Sequence, residues 1–199
     1  MKKKLLLLIL KYCLVFSLSA QTDAAAKEYR NFPVVVTLQF HSLALPFRDV
    51  KANFSNMGIG LGTEVSLNGK HNWAQQFSLV WYRNRAAGNG LLCYTQSAWR
   101  PTLASGVYTE IKAGAGYLYS FRPVASYRQA NGDWTPVGRH GKGLLALPAG
   151  ISLGYNDYSP GAYFSPFASY QFLLAKGYNQ SIPLVPETLV QVGSRIHFK

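Results

Sequence analysis

The stretch that decides the fold is Met57-Gly-Ile-Gly-Leu-Gly-Thr-Glu-Val-Ser-Leu67. Ile59, Leu61, Val65 and Leu67 fall on one side of it, while Gly58, Gly60, Gly62, Glu64 and Ser66 fall on the other. A repeat of two is that of an extended strand, whose successive side chains point to opposite faces. The glycines superficially suggest a phosphate loop, but the dinucleotide-binding spacing and the helix that should follow are missing. The alternation recurs about eight times, over residues 33–41, 57–67, 73–83, 91–100, 107–121, 144–155, 162–174 and 189–198. Each segment is near the ~9–11 residues of a tilted membrane-spanning strand.

Upstream lies an export leader. Lys2, Lys3 and Lys4 precede an apolar run from Leu5 to Leu18 broken only by Lys11, and Ser17-Leu18-Ser19-Ala20 supplies a small-residue cleavage region before Gln21. Residues 1–20 therefore read as a signal peptide, 21–32 as a periplasmic N-terminal segment and 33–199 as the folded domain. Only 14% of the 199 residues are charged, low beside the ~25% of ordinary soluble proteins. Cys13 leaves with the leader, so Cys93 has no partner for an internal disulfide. Without the four leader lysines the twenty basic residues fall to sixteen against eight acidic ones, leaving +8. No later stretch approaches the roughly 18 apolar residues of a spanning helix. Strands behind a secretory leader predict an all-β fold: a closed, antiparallel, eight-stranded, up-and-down transmembrane β-barrel. Closure leaves no unpaired backbone edge in lipid.

The connections set the direction of the strands. Residues 68–72, 101–106 and 156–161 form tight links rich in turn residues, and residues 42–56, 84–90, 122–143 and 175–188 form longer ones. Short turns belong in the periplasm and long loops outside. On that assignment Phe40, Trp81, Phe121 and Phe172 form an outer aromatic belt, and Trp73, Trp99, Tyr155, Phe164 and Phe198 an inner one. Gln75, Thr95 and Ser97 are misfits on the apolar face, for which a bulge or a shifted register would account. A secreted lipocalin-like binder also alternates but turns its apolar face inward; the Gly, Ser and Gln of the polar face and the depth-sorted aromatics weigh against it.

The leader, the eight amphipathic segments and the ending Gln191-Val192-Gly193-Ser194-Arg195-Ile196-His197-Phe198 resemble the small outer-membrane β-barrels of Gram-negative bacteria, in the broad OmpA/OmpX style. The Ser-Ala-Gln junction and the aromatic-rich, basic strands are similar to members from the Bacteroidetes. The resemblance implies residence in the cell outer membrane. It also implies that Val190, Val192, Ile196 and Phe198 form the signal read by the barrel assembly machinery. Lys199 departs from the final aromatic of that pattern.

The inward face carries Gln39, His41, Glu64, Gln76, Tyr82, Tyr94, Arg100, Glu110, Lys112, Ser165, Ser169, Gln171, Gln191, Arg195 and His197. Glu64, Arg100, Glu110, Lys112 and Arg195 share the periplasmic half, where two carboxylates and three cations must pair because an isolated buried charge costs several kcal/mol. Eight strands leave an interior that side chains fill, so this cluster reads as a plug rather than a small-solute channel. Glycines Gly114, Gly116, Gly150 and Gly154 make room for large neighbours such as Tyr82 and Tyr94.

No catalytic residues are assigned. The four histidines are dispersed, and His41-Ser42, with Glu187 able to approach from the last loop, only faintly matches the lipid A deacylases of the outer membrane. No Cys/His or acidic spacing suggests a metal, and no cofactor is expected. Arg48, Lys51, Arg85, Arg128, Arg139 and Lys142 lie in the outer loops and face lipopolysaccharide phosphates. The longest loop, with Tyr127 and Trp134, offers an aromatic tip for a surface ligand or envelope protein. Dispersed charge argues against nucleic acid. The expected protein is a monomer in outer-membrane lipid, with an envelope-integrity or surface-interaction role. A lipid A-modifying enzyme is the alternative.

Overall fold

The computed structural model describes residues 31–43, 54, 56–85, 88–104, 106–130, 132–138, 141–156, 162–178 and 183–198. The expected signal peptide and most of the N-terminal segment lie outside them. Among the described residues eleven strands follow in order: β1 Val34–Ser42, β2 Met57–Ser66, β3 Trp73–Tyr82, β4 Gly90–Trp99, β5 Thr102–Ala104, β6 Val107–Ser120, β7 Ser126–Ala130, β8 Asp133–Gly138, β9 Lys142–Tyr155, β10 Tyr163–Lys176 and β11 Leu184–His197. Eight of these, all but β5, β7 and β8, form one antiparallel sheet in chain order. The sheet closes on itself where β11 pairs β1 from Val34↔Ile196 to Ser42↔Thr188. It is a closed eight-stranded up-and-down barrel. β5 is a three-residue addition to β6, and β7 with β8 makes a separate ribbon inside the longest loop.

The tight turn between β2 and β3 shows how local chemistry sets the ladder. Asn68 Oδ1 accepts from the Trp73 N–H at 3.3 Å, and the His71 N–H donates to the Asn68 carbonyl at 3.1 Å. His71 takes a left-handed backbone with φ of 55° and places Nδ1 2.9 Å from Ser66 Oγ. Partial burial pushes the His71 pKa down, because desolvation disfavours the imidazolium.

Prolines inside the strands fall where a neighbouring ladder is absent. Pro166 lies one residue past the end of the β9–β10 pairing, which begins at Phe167↔Gly154. Pro186 lies beyond Thr188, where β1 has ended. Beside Pro148 the β6–β9 register runs from Ala113↔Ala149 directly to Gly116↔Ala146, skipping two pairs. A residue without an N–H cannot feed a ladder on both sides. Because Pro186 is tolerated this way, β11 begins at Leu184 rather than at residue 189, and Glu187 belongs to a strand rather than to a loop.

The exterior is apolar and the interior holds the charges. Ile59 is 61% exposed, Leu61 59%, Trp81 43% and Trp99 40%, whereas Glu64, Glu110 and Arg195 are at 1% or less. A water-soluble barrel would reverse that arrangement, and a closed sheet with an apolar outside is a membrane-spanning one. Trp73 pairs directly with Trp99 at one rim, and Trp81 with Leu91 towards the other. Gln75, Thr95 and Ser97 do face outward, but neither a bulge nor a slipped register explains them. Pairing is unbroken from Trp73↔Trp99 to Tyr82↔Gly90. Their polar atoms are satisfied on the wall: Ser97 Oγ donates to Gln75 Oε1 at 2.7 Å, Gln75 Nε2 to Thr95 Oγ1 at 2.5 Å, and Thr95 Oγ1 to the Gln76 carbonyl at 3.0 Å.

Candidate functional site

The strand directions bring five charged side chains from four places in the chain into one layer near the tight-turn end of the lumen, the periplasmic end on the expected orientation. Glu64 on β2 lies opposite Gln76 on β3, Arg100 follows β4, Glu110 and Lys112 share a face of β6, and Arg195 comes from β11. Arg100 Nη2 donates to both oxygens of Glu64, at 2.8 and 2.7 Å, and its Nε donates to Glu110 Oε1 at 2.7 Å. Arg195 crosses the same two carboxylates, with Nε 2.8 Å from Glu64 Oε2 and Nη2 2.8 Å from Glu110 Oε1. Its Nη1 donates to the Tyr108 hydroxyl. Gln76 Nε2 donates to Glu64 and Glu110 at 3.1 and 3.2 Å. The Lys112 ammonium stands 4.0 Å from Glu110 Oε2, the loosest contact of the group. Arg195 also lies 4.3 Å from the centre of the Phe167 ring. A network with every cation against a carboxylate or ring is what a dehydrated interior demands.

Above this layer Gln39, Gln171, Gln191 and Tyr94 form an amide belt, in which Gln171 Nε2 donates to Gln191 Oε1 at 2.7 Å and Gln191 Nε2 to the Tyr94 hydroxyl at 3.2 Å. Next comes an apolar layer of Val80, Leu92, Leu118, Leu144, Ala146, Leu173, Ala175 and Leu189, with Tyr82 and Tyr94 in the same cluster and Tyr178 packed against it. The cavity lined by Glu64, Gln76, Lys112 and Arg195 amounts to about 20 Å³, the space of one water. Glycine sets the fit of the large rings: a Cβ on Gly154 would meet the Tyr108 hydroxyl, and one on Gly90 would meet the Tyr82 ring.

The outer end of the lumen holds a second polar group. His41 Nε2 lies 3.0 Å from Glu187 Oε2, the Tyr82 hydroxyl donates to the same oxygen at 3.1 Å, and Asn84 Nδ2 lies 3.0 Å from His41 Nδ1. The His41 ring stacks on Tyr82 with centroids 3.9 Å apart. Glu187 thus reaches His41, but as a strand residue pointing inward. Both ring nitrogens are occupied, and the pair is sealed inside the barrel. His197 stacks on Tyr163 at the periplasmic rim and His71 sits in its turn, so neither joins His41.

Of the six cations expected to face lipopolysaccharide, Arg85 and Lys142 are exposed at the outer end, and Arg128 lies on β7 opposite Thr135. Arg48, Lys51 and Arg139 lie outside the described residues, as does His140. Val190, Val192 and Ile196 point outward from β11, with Phe198 just beyond its end; Val192 and Phe198 are the more exposed.

No protein-family model and no curated protein matches the chain. Among solved structures it is similar to Neisserial surface protein A, with a TM-score of 0.54 and 13% identity over 84% of this chain and 97% of that one. It also aligns with the N-terminal β-barrel domain of Pseudomonas aeruginosa OprF at a TM-score of 0.45 and 14% identity, covering 84% and 98% of the two chains. The shared property is architectural: the chain has the fold of the small eight-stranded outer-membrane barrels.

The apolar layer and the Asn84–His41–Glu187–Tyr82 group are the parts of the interior that the inward-face reading did not assemble. Their signal was present as runs without alternation, Gly143-Leu-Leu-Ala-Leu147 and Phe172-Leu-Leu-Ala175, in which both faces of a strand are apolar. Such runs mark a strand covered on both sides.

Proposed function

We propose that this chain is an outer-membrane barrel with a plugged lumen, whose work is structural or adhesive and is carried out at its outer rim without enzymatic turnover. The observation that carries the reading is the stacked filling of the interior. A five-member charge network, an amide belt and an apolar layer succeed one another along the axis, leaving about 20 Å³ inside the network. The rim of Arg85, Arg128 and Lys142, together with Arg48, Lys51 and Arg139 in the loops, engages the phosphates of lipopolysaccharide. Val190, Val192, Ile196 and Phe198 serve the assembly machinery, and the barrel works as a monomer. Planar-bilayer recording of the purified protein tests the plug: the expectation is no stable conductance, and a steady open level would overturn it.

One contact favours a second reading. The 3.0 Å His41–Glu187 pair places a base beside an orienting carboxylate, the arrangement an outer-membrane lipid A hydrolase would need. Against it, the pair is enclosed by Tyr82 and Asn84, with no ring nitrogen directed at the membrane. In cells carrying His41→Ala the lipid A mass spectrum is expected to be unchanged; a shift in acylation would restore the enzyme.

A further inference from the structure

The cavity of about 20 Å³ beside Lys112 lies between the charge layer and the amide belt, with Thr37, Glu64, Tyr94 and Gln191 also on its walls. It admits one particle of about the size of water. The hydrogen-bonding capacity left on the walls decides which particle suits it. The Lys112 side chain is buried, and its nearest carboxylate oxygen, Glu110 Oε2, is 4.0 Å from Nζ, beyond hydrogen-bond length. Its three N–H groups are therefore uncommitted among the described residues. The Tyr94 hydroxyl accepts from Gln191 at 3.2 Å and the Thr37 hydroxyl from Gln39 at 2.6 Å, and neither donates to a described residue. The acceptors on the same walls are already engaged. Glu64 Oε1 receives Arg100, Glu64 Oε2 receives Gln76, Arg100 and Arg195, and Gln191 Oε1 receives Gln171.

Charge points the same way. Among the described residues the layer sets Arg100, Lys112 and Arg195 against Glu64 and Glu110, three positive charges against two negative, which leaves +1. Glu187 belongs to the outer group beyond the apolar layer, where it is bound by His41 and Tyr82. An unbalanced charge is costly in a dehydrated interior. A water would bring two hydrogens to walls that need an acceptor; a monatomic anion only accepts, and it cancels the excess charge. The walls are set in advance. Thr37 lies opposite Gly60, where a Cβ would strike the Thr37 hydroxyl, so glycine gives that hydroxyl its place.

We propose that this cavity holds a single halide ion, chloride in the cell envelope, as the counter-charge that completes the plug. Lys112 supplies the charge and N–H donors, and the Tyr94 and Thr37 hydroxyls turn their hydrogens toward the ion. The inference rests on the plugged-lumen reading and deepens it: the ion is sealed in as the barrel closes.

The test refolds the full mature barrel in detergent with bromide, crystallises it and records anomalous scattering at the bromine edge. One peak is expected in the lumen, within hydrogen-bond reach of Lys112 Nζ and the Tyr94 hydroxyl. It should be absent from Lys112→Met, which leaves two cations against two carboxylates. Bromide found only on the outer loops would overturn the site. In solution at constant ionic strength, chloride replacing gluconate, which is too large for the cavity, should raise the folding constant about tenfold for each tenfold rise in chloride above saturation. Lys112→Met should abolish that dependence, and Tyr94→Phe, which keeps the charge, should move it to higher chloride. Heat-modifiable migration verifies that each variant folds. An equal chloride response in the unaltered barrel and Lys112→Met would be a general salt effect and would overturn the site. Bilayer recording separates the two readings: a non-conducting barrel without the bromide peak loses the ion and keeps the plug, whereas steady conductance removes the plug and the sealed ion together.

Discussion

Glu110 shows how much a single side chain carries in a sealed interior. It receives Nε of Arg100 and Nη2 of Arg195, and stands beside Lys112. Replacing it with Leu leaves Glu64 as the one carboxylate of the cluster for Arg100, Arg195 and Lys112, and breaking a buried pair on one side costs about 3–5 kcal/mol. Glu110→Leu should therefore lower the unfolding free energy of the purified barrel, read from urea titration, by that much. Lys112→Met should cost under about 1.5 kcal/mol, since its ammonium is held loosely, 4.0 Å from Glu110 and 5.8 Å from the centre of the Phe167 ring, and is replaced by a chain of similar shape. Equal losses in the two variants would contradict the network as described. At His71 the issue is backbone rather than charge. A β-branched residue at φ of 55° is disfavoured by roughly 1–2 kcal/mol, so His71→Val should destabilise the barrel and His71→Asn much less. The lowered His71 pKa also has a sign: the folded turn prefers neutral imidazole, so its contribution is full above the unfolded pKa and fades as pH falls through the lower folded one.

Among the elements, the β7–β8 ribbon stands apart. It pairs only with itself, from Ser126↔Gly138 to Ala130↔Asp133, and joins no barrel strand. Trp134 and Tyr127 are exposed on it at 67% and 61%, so it spends aromatic surface on solvent instead of on packing. Deleting residues 129–139 should leave heat-modifiable migration unchanged and the unfolding free energy within about 0.5 kcal/mol, as expected of a change away from the core. Loss of a cell-surface phenotype in the same cells would assign the ribbon to binding a partner. β11 behaves in the opposite way, since it closes the barrel against β1 and β10 and supplies Glu187, Gln191 and Arg195 to three levels of the lumen. Its outward Val190, Val192 and Ile196, with Phe198 after it, are the residues whose replacement by Ser should slow assembly in cells more than refolding in detergent. The reverse ranking would remove their role as an assembly signal.

For the whole molecule, the decisive property is that its apolar surface and its charged interior are exchanged relative to a soluble protein. That exchange was readable along the chain wherever one face of a strand was strictly polar, as in Gly58 to Glu64, because a two-residue period places every second side chain on the same side whatever its neighbours are. Strand number, the alternation of short and long links, and the inward direction of Glu64, Arg100, Glu110, Lys112 and Arg195 all follow from that local rule. The rule fails where both faces are alike. Leu118, Leu144, Leu173 and Leu189 could have faced lipid or lumen, and only closure of the sheet decided which of them are buried. Distance along the chain hid the rest: Glu187 meets His41 across 146 residues, and Arg195 meets Glu64 across 131. Periodicity is a property of neighbouring residues and is written in the sequence; convergence depends on how the strands are staggered around the barrel, and only the closed tertiary structure sets that.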